Sequence, residues 1–123
     1  MKLMIVDDSN IIRSRIERAY NNEHSIKIVA TACNGRDAVE KATNHMPDIV
    51  TMDLTMPGMD GLQCIKHIMK LNPHTKILVV SALSDVSTGL EAIEYGARGF
   101  LCKPFTDDEL LTAMNDIIIA DDS

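Results

Sequence analysis

Ile49-Val50-Thr51-Met52-Asp53-Leu54-Thr55-Met56-Pro57-Gly58-Met59-Asp60-Gly61 is a β-branched apolar run that carries a carboxylate, Asp53, to the point where the run must stop. Pro57 lacks a donor N–H and Gly58 tolerates turn geometry, so neither prolongs a strand. Asp60 is placed to cap a new helix, in which the apolar positions Leu62, Ile65 and Met69 recur at helical spacing. A buried strand, a polar stop and a capped helix put Asp53 at the strand's carboxyl end. That end faces the crevice in which open α/β sheets bind ligands. A strand-ending Asp can also do no more than hydrogen-bond its own loop.

The same unit recurs outward from this stretch. Toward the N-terminus, Leu3-Met4-Ile5-Val6 reads as a short buried strand stopping at Asp7-Asp8-Ser9, and Ile12, Ile16, Ala19 and Tyr20 mark one face of a helix. Ile26 to Ala32 is a second strand with less regular alternation. Asn34 can cap the next helix with Asp37 three residues on, and that helix turns Ala38 and Ala42 inward and ends before Met46-Pro47. Toward the C-terminus, Lys76-Ile77-Leu78-Val79-Val80 ends at Ser81-Ala82. A helix over about Asp85 to Tyr95 follows, with Val86, Leu90 and Ile93 apolar and Gly96 at C′. Gly89 inside it costs ~1 kcal/mol relative to Ala. Gly99-Phe100-Leu101-Cys102 is the fifth strand, ending at Lys103-Pro104. Thr106 and Glu109 form a capping box, Phe105 can staple to Leu110, and Leu110, Met114, Ile117 and Ile118 give the last helix its buried face.

Five strand–helix units with strands apolar on both faces predict an α/β fold: a five-stranded parallel sheet flanked by five helices. The flavodoxin-like order 2-1-3-4-5 is the natural topology. The 123 residues make one domain, and 46% hydrophobic content excludes disorder. A net charge of −6 with scattered Lys and Arg argues against direct nucleic-acid binding. Cys33, Cys64 and Cys102 lack metal-ligand spacing, and an odd count fits reduced thiols in the cytoplasm. The four apolar residues between Lys2 and Asp7 are too few for a signal sequence or a membrane span.

In that strand order, Asp7 and Asp8, Asp53, Ser81 and Lys103 end neighbouring strands and converge on one crevice. A turn aspartate, a turn serine or a solvated lysine is each ordinary alone; their convergence is not. Two carboxylates ~5 Å apart at an effective dielectric of ~20 repel by about 3 kcal/mol, so such a cluster takes up a proton or a cation. Oxygen ligands without thiolate or imidazole suit a Mg²⁺ ion that keeps several waters. With Mg²⁺ and Lys103 neutralising equatorial oxygens and Ser81 donating a hydroxyl, Asp53 is placed to attack a phosphoryl group in line.

The chain resembles the receiver domains of two-component response regulators. The matching residues are Val6-Asp7-Asp8-Ser9, Asp53 with Met56-Pro57-Gly58-Met59-Asp60-Gly61, Ser81-Ala82, and Gly99-Phe100-Leu101-Cys102-Lys103-Pro104-Phe105. They run through the chain in order. The resemblance implies that Asp53 is the phosphoacceptor, served by a histidine kinase or a histidine phosphotransfer protein. It implies that Asp8, Asp53 and the Thr55 backbone carbonyl hold Mg²⁺ directly, and Asp7 through water. Ser81 and Lys103 would contact the phosphoryl group, and the Lys103–Pro104 bond would be cis. Ser81 and Phe100 would form the switch, the hydroxyl moving toward the phosphoryl group as the Phe100 ring turns inward. Phe100 also reads as plain core filler. The output face would be the fourth helix, fifth strand and fifth helix, which can also serve dimerisation.

The resemblance also implies that Thr55 and Leu83 would flank the attacking water in dephosphorylation, where the chemotaxis regulator of the family carries an amide and an acid. The expectation is a different, longer phosphoryl lifetime. Gly89 stands where the motor-binding regulator has an apolar contact, so binding to a flagellar motor is not supported. A phosphatase of the haloacid dehalogenase type would need a second Asp at position 55, and a flavodoxin-like electron carrier would not place Asp7-Asp8 in its phosphate cradle. The expectation is therefore a signalling phosphoacceptor rather than an enzyme acting on other substrates. The short tail after Ile119 favours a free-standing receiver over a piece of a DNA-binding or enzymatic regulator.

Overall fold

The apolar runs become the strands β1 (Lys2–Val6), β2 (Lys27–Ala32), β3 (Ile49–Met52), β4 (Lys76–Ala82) and β5 (Gly99–Lys103). The periodic segments between them become the helices α1 (Asn10–Tyr20), α2 (Gly35–His45), α3 (Gly61–Leu71), α4 (Val86–Glu94) and α5 (Asp107–Ile119). The computed structural model describes residues 1–56, 58–82 and 86–119. All strand pairings are parallel and the order is β2-β1-β3-β4-β5, as the pattern predicts.

Strand side chains alternate between faces, so each strand feeds two cores. Met4, Val6, Val50, Met52, Ile77 and Val79 pack with Ala38, Ala42, Cys64, Ile65, Ile68 and Ala92, on the side of α2, α3 and α4. Leu3, Ile5, Ile49, Leu78, Val80 and Leu101 pack on the other side with Ile16, Tyr20, Leu110, Met114 and Ile117 of α1 and α5. The irregular alternation of β2 has a cause in the register. Leu3 pairs with Ile28 but Met4 pairs with Ala30, so Val29 is bulged out of an edge strand that is only half-buried.

The helix starts follow local chemistry. Ser9 accepts from the Ile12 N–H, Asn34 from the Asp37 N–H and Asp60 from the Gln63 N–H. Thr106 and Glu109 exchange both bonds of the capping box, at 2.9 and 3.1 Å. The Asp37 carboxylate does not complete such a box: it lies 3.1 Å from Lys41 Nζ, one turn on. The Lys103–Pro104 peptide is cis, as expected.

Two helix faces differ from expectation. In α3 the stripe against the sheet is Gly61, Cys64, Ile65 and Ile68, while Leu62 and Met69 are only half-buried beside it. In α4, Leu90 is 65% and Ile93 43% exposed, and Ala92 is fully buried. The large apolar residues face outward because the space under α4 is already filled. A Cβ added at Gly89 would sit 2.4 Å from Phe100 Cε2, so only a side-chain-free position can lie over that ring. Gly96 has φ +120°, the left-handed region expected for a C′ glycine. Asp85 and the Val86 side chain lie outside the described residues.

Candidate functional site

The order β2-β1-β3 reverses the direction in which the sheet grows, which opens a crevice between the carboxyl ends of β1 and β3. The ladder continues one residue past each of these strands. The Asp7 N–H donates to Ala32 O and the Asp53 N–H to Val6 O, both at 3.0 Å. Both aspartates therefore retain strand alternation and project on the same side as Ile5 and Thr51. Lys103 shares that side with Leu101, two strands away, and its long stem brings Nζ to 2.9 Å from Asp7 Oδ2 and 3.7 Å from Asp53 Oδ1. Ser81 pairs in register with Cys102 on β4, the strand between β3 and β5, and is buried.

Carboxylate oxygens of Asp7, Asp8 and Asp53 lie within 4.8 Å of one another. Asp7 and Asp53 are 1% and 3% exposed, whereas Asp8 is open to solvent. The cluster is held by backbone donors. The Ser9 N–H donates to Asp7 Oδ1 at 2.9 Å, and the Thr55 N–H to Asp53 Oδ1 at 3.2 Å. Burial pushes the Asp53 carboxyl up to about 6, helped by the negative charge of Asp7 and a side-chain hydrogen bond with Asp8. The Lys103 ammonium and the Thr55 N–H oppose that rise. Around neutral pH Asp53 is thus ionised but poorly solvated, a combination suited to a nucleophile.

Among the described residues, hard oxygens are the only ligands in the cluster, and Asp7 Oδ2 has the Lys103 ammonium as its one close partner. Three carboxylates against one ammonium leave two negative charges. Donor type, the clustering of the three carboxylates and that charge all fit a divalent cation of the Mg²⁺ kind.

The structure thus brings Asp7, Asp8, Asp53 and Lys103 together and puts Ser81 on the intervening strand. Thr55 reaches the site through its backbone. Phe100 is not in the crevice; it lies under α4, packed on the α2–α4 core. Leu83 lies outside the described residues. Two supports were not legible beforehand. Arg13 Nη1 donates to the Asp7 carbonyl, and a side chain at Gly61 would come within 2.5 Å of Leu54 Cα and 2.6 Å of the Asp53 carbonyl. Gly61 is thus the residue that lets α3 begin directly against the Asp53 turn. A glycine just after a helix cap was the available signal for it; the Arg13 contact left none.

Comparison with known proteins agrees with this geometry. The family model described as response regulator receiver domain matches residues 3–115. The chain is 40% identical over 116 residues to the chemotaxis protein CheY of Thermotoga maritima, covering 94% of this chain and 96% of that one. It is 43% identical over 109 residues to a protein-glutamate methylesterase/protein-glutamine glutaminase of Pseudoalteromonas translucida, covering 87% of this chain but 28% of the relative. Among solved structures, the CheX–CheY–BeF₃–Mg²⁺ complex from Borrelia burgdorferi superposes with a TM-score of 0.89 at 32% identity, covering 96% of this chain and 89% of that one. No helix among the described residues is long and apolar enough to cross a membrane. Since the family match takes in the whole sheet, the switch-point crevice and every acidic residue gathered there, the chain belongs to the response regulator receiver domains of two-component signalling.

Proposed function

We propose that Asp53 is the phosphoacceptor of this receiver. The observation that carries the reading is the buried Asp53 carboxylate beside Asp7 and Asp8, with the Lys103 ammonium 3.7 Å away. An incoming phosphohistidine presents phosphorus to Asp53 Oδ; the new O–P bond forms as the P–N bond breaks, its electron pair leaving with the imidazole. Lys103 exchanges part of its contact with Asp7 for a phosphoryl oxygen, and the Ser81 hydroxyl donates to another. Asp8, Asp53 and the Thr55 backbone carbonyl would hold Mg²⁺, with Asp7 acting through water. When bound, the ion supplies the positive charge that offsets the phosphoryl oxygens. The Borrelia relative was captured with BeF₃ and Mg²⁺, which supports the assignment here.

A histidine kinase or phosphotransfer protein is the donor partner, in the cytoplasm, and the protein catalyses only its own phosphorylation and dephosphorylation. The switch couples Ser81 to Phe100. Because the ring is lodged against Gly89, its movement changes how α4 sits, and α4, β5 and α5 form the output or dimerisation face. Residues 1–123 act as one receiver unit. The match to 28% of the methylesterase favours a second reading, in which such a unit works inside a larger regulator; the intact mass of the native gene product separates the two.

Incubation with Mg²⁺ and acetyl phosphate, read by intact mass, tests the site. One added phosphoryl group is expected on the wild type and none on Asp53→Asn. Equal labelling of both would remove Asp53 from its role.

A further inference from the structure

Each buried carboxylate of the acidic triad is aimed by contacts of its own. Asp7 accepts from the Ser9 N–H at 2.9 Å and meets Lys103 Nζ at 2.9 Å, and Asp53 accepts from the Thr55 N–H at 3.2 Å. Asp8 differs. It is exposed, so the direction of its side chain depends on the backbone that carries it. That backbone is gripped from α1. Arg13 Nη1 donates to the Asp7 carbonyl oxygen at 2.5 Å, and the other arm of the fork, Nη2, donates to Asn10 Oδ1. The peptide group is planar, so a held Asp7 carbonyl also holds the Asp8 nitrogen and limits rotation on either side of that plane. The grip has a fixed base. Ser9 caps α1 by accepting from the Ile12 N–H at 3.3 Å, and the Arg13 N–H donates to the Ser9 carbonyl at 3.1 Å.

We propose that Arg13 is a positioning residue for the divalent cation: by fixing the Asp7–Asp8 peptide, it keeps the Asp8 carboxylate turned toward Asp7 and Asp53. The inference rests on the reading of these three aspartates as the cation site and adds a residue behind them. Their oxygens lie within 4.8 Å of one another, and a swing of the one exposed member would open that set. Groups behind the ligands that hold their aim change metal affinity roughly 10–100-fold when removed. The charge of Arg13 and its hydrogen bonds act in opposite directions. A positive charge beside the triad repels a cation, so on charge alone Arg13 hinders binding and its removal would tighten it. The bond to the Asp7 carbonyl preorganises Asp8, and its removal would loosen binding. The sign of the change therefore tells positioning from charge.

The test titrates Mg²⁺ into the unphosphorylated protein by calorimetry, on wild type, Arg13→Ala, Arg13→Lys and Asn10→Ala, with urea unfolding in a chelator to check that each variant folds. In Arg13→Ala the dissociation constant should rise about tenfold, the low end for a group behind the ligands. Arg13→Lys keeps the charge and a donor for the carbonyl, and should recover most of the loss. Asn10→Ala keeps the charge and frees only the second arm of the fork, so the constant should rise about threefold, and this variant carries the test if Arg13→Ala does not fold. Labelling by acetyl phosphate, read by intact mass, supplies a second readout. The half-saturating Mg²⁺ concentration should rise in step with the constant in Arg13→Ala, while the limiting rate changes less than about twofold. A constant unchanged or lowered in Arg13→Ala, an equal loss in Arg13→Lys, or, where Arg13→Ala does not fold, an unchanged constant in Asn10→Ala overturns the positioning role and leaves the triad as the cation site. A limiting rate that falls at an unchanged half-saturating concentration does the same. No Mg²⁺ binding by the wild type, or binding undiminished in Asp8→Asn, overturns the cation site and the role of Arg13 with it.

Discussion

Replacing Asp53 by Asn should stabilise the metal-free protein, and the gain should depend on pH. Burial and the neighbouring Asp7 raise the Asp53 carboxyl from 3.8 to about 6. A folded-state value above the unfolded one means that the native protein holds this proton more tightly between those two pH values. Stability linked to the group is therefore whole below pH 3.8 and falls as pH rises through about 6. Above that range the ionised side chain costs the fold ~3 kcal/mol, at ~1.4 kcal/mol for each tenfold difference in proton affinity. Asn keeps the shape and an acceptor for the Thr55 N–H while removing the charge. The shift to about 6 already includes the attraction to Lys103; allowing for the weaker hydrogen bond that a neutral amide accepts from the Thr55 N–H, the net gain should be ~2 kcal/mol at about pH 8, or a rise of roughly 8 °C in Tm. Urea unfolding in a chelator checks this, with a second series at about pH 4, where the gain should shrink to a few tenths of a kcal/mol. Adding Mg²⁺ should then narrow the gap by stabilising the wild type more than the variant. A variant no more stable than wild type at the higher pH, or equally stabilised at both, would show that the carboxylate is not strained by its surroundings.

Thr51 carries a buried hydroxyl with no hydrogen-bond partner among the described residues. Thr51→Val should therefore raise stability by ~1 kcal/mol in urea unfolding, and a loss would mean that the hydroxyl is satisfied. Gly89→Ala gains ~1 kcal/mol of helix preference but places a Cβ 2.4 Å from the Phe100 ring, so alone it should destabilise. In the Phe100→Leu background it should become neutral or stabilising; a cycle without coupling would refute the contact. Thr55→Asn combined with Leu83→Glu should shorten the lifetime of the aspartyl phosphate, measured by loss of the added mass, and an unchanged decay would contradict the expectation of a long-lived state.

The strand–helix alternation, the sheet order and the carboxylate cluster were all readable because they depend on local events. A β-branched run ended by Asp, Pro and Gly specifies a strand end wherever it lies in a chain, and Asn34, Asp60 and Thr106 start helices through bonds only three residues long. The right-handed crossover then leaves few ways to stack five such units, so the strand ends that carry these residues fall along one edge of the sheet, where Asp7, Asp8, Asp53 and Lys103 come together. Which helical face turns inward was less legible. The spacing of large side chains marked Leu90 and Ile93 as apolar positions of α4, yet it is Gly89 and Ala92 that lie buried.

The sequence by itself determined what each segment becomes and which chemical groups stand at the strand ends, since those follow from neighbours along the chain. Only the tertiary structure decided how close distant segments come: the Phe100 ring that excludes a side chain at position 89, the Gly61 contact behind Asp53, the Arg13 bond to the Asp7 carbonyl. Such contacts depend on the shape of the opposing surface, and no periodicity in one helix records what another strand will place beneath it.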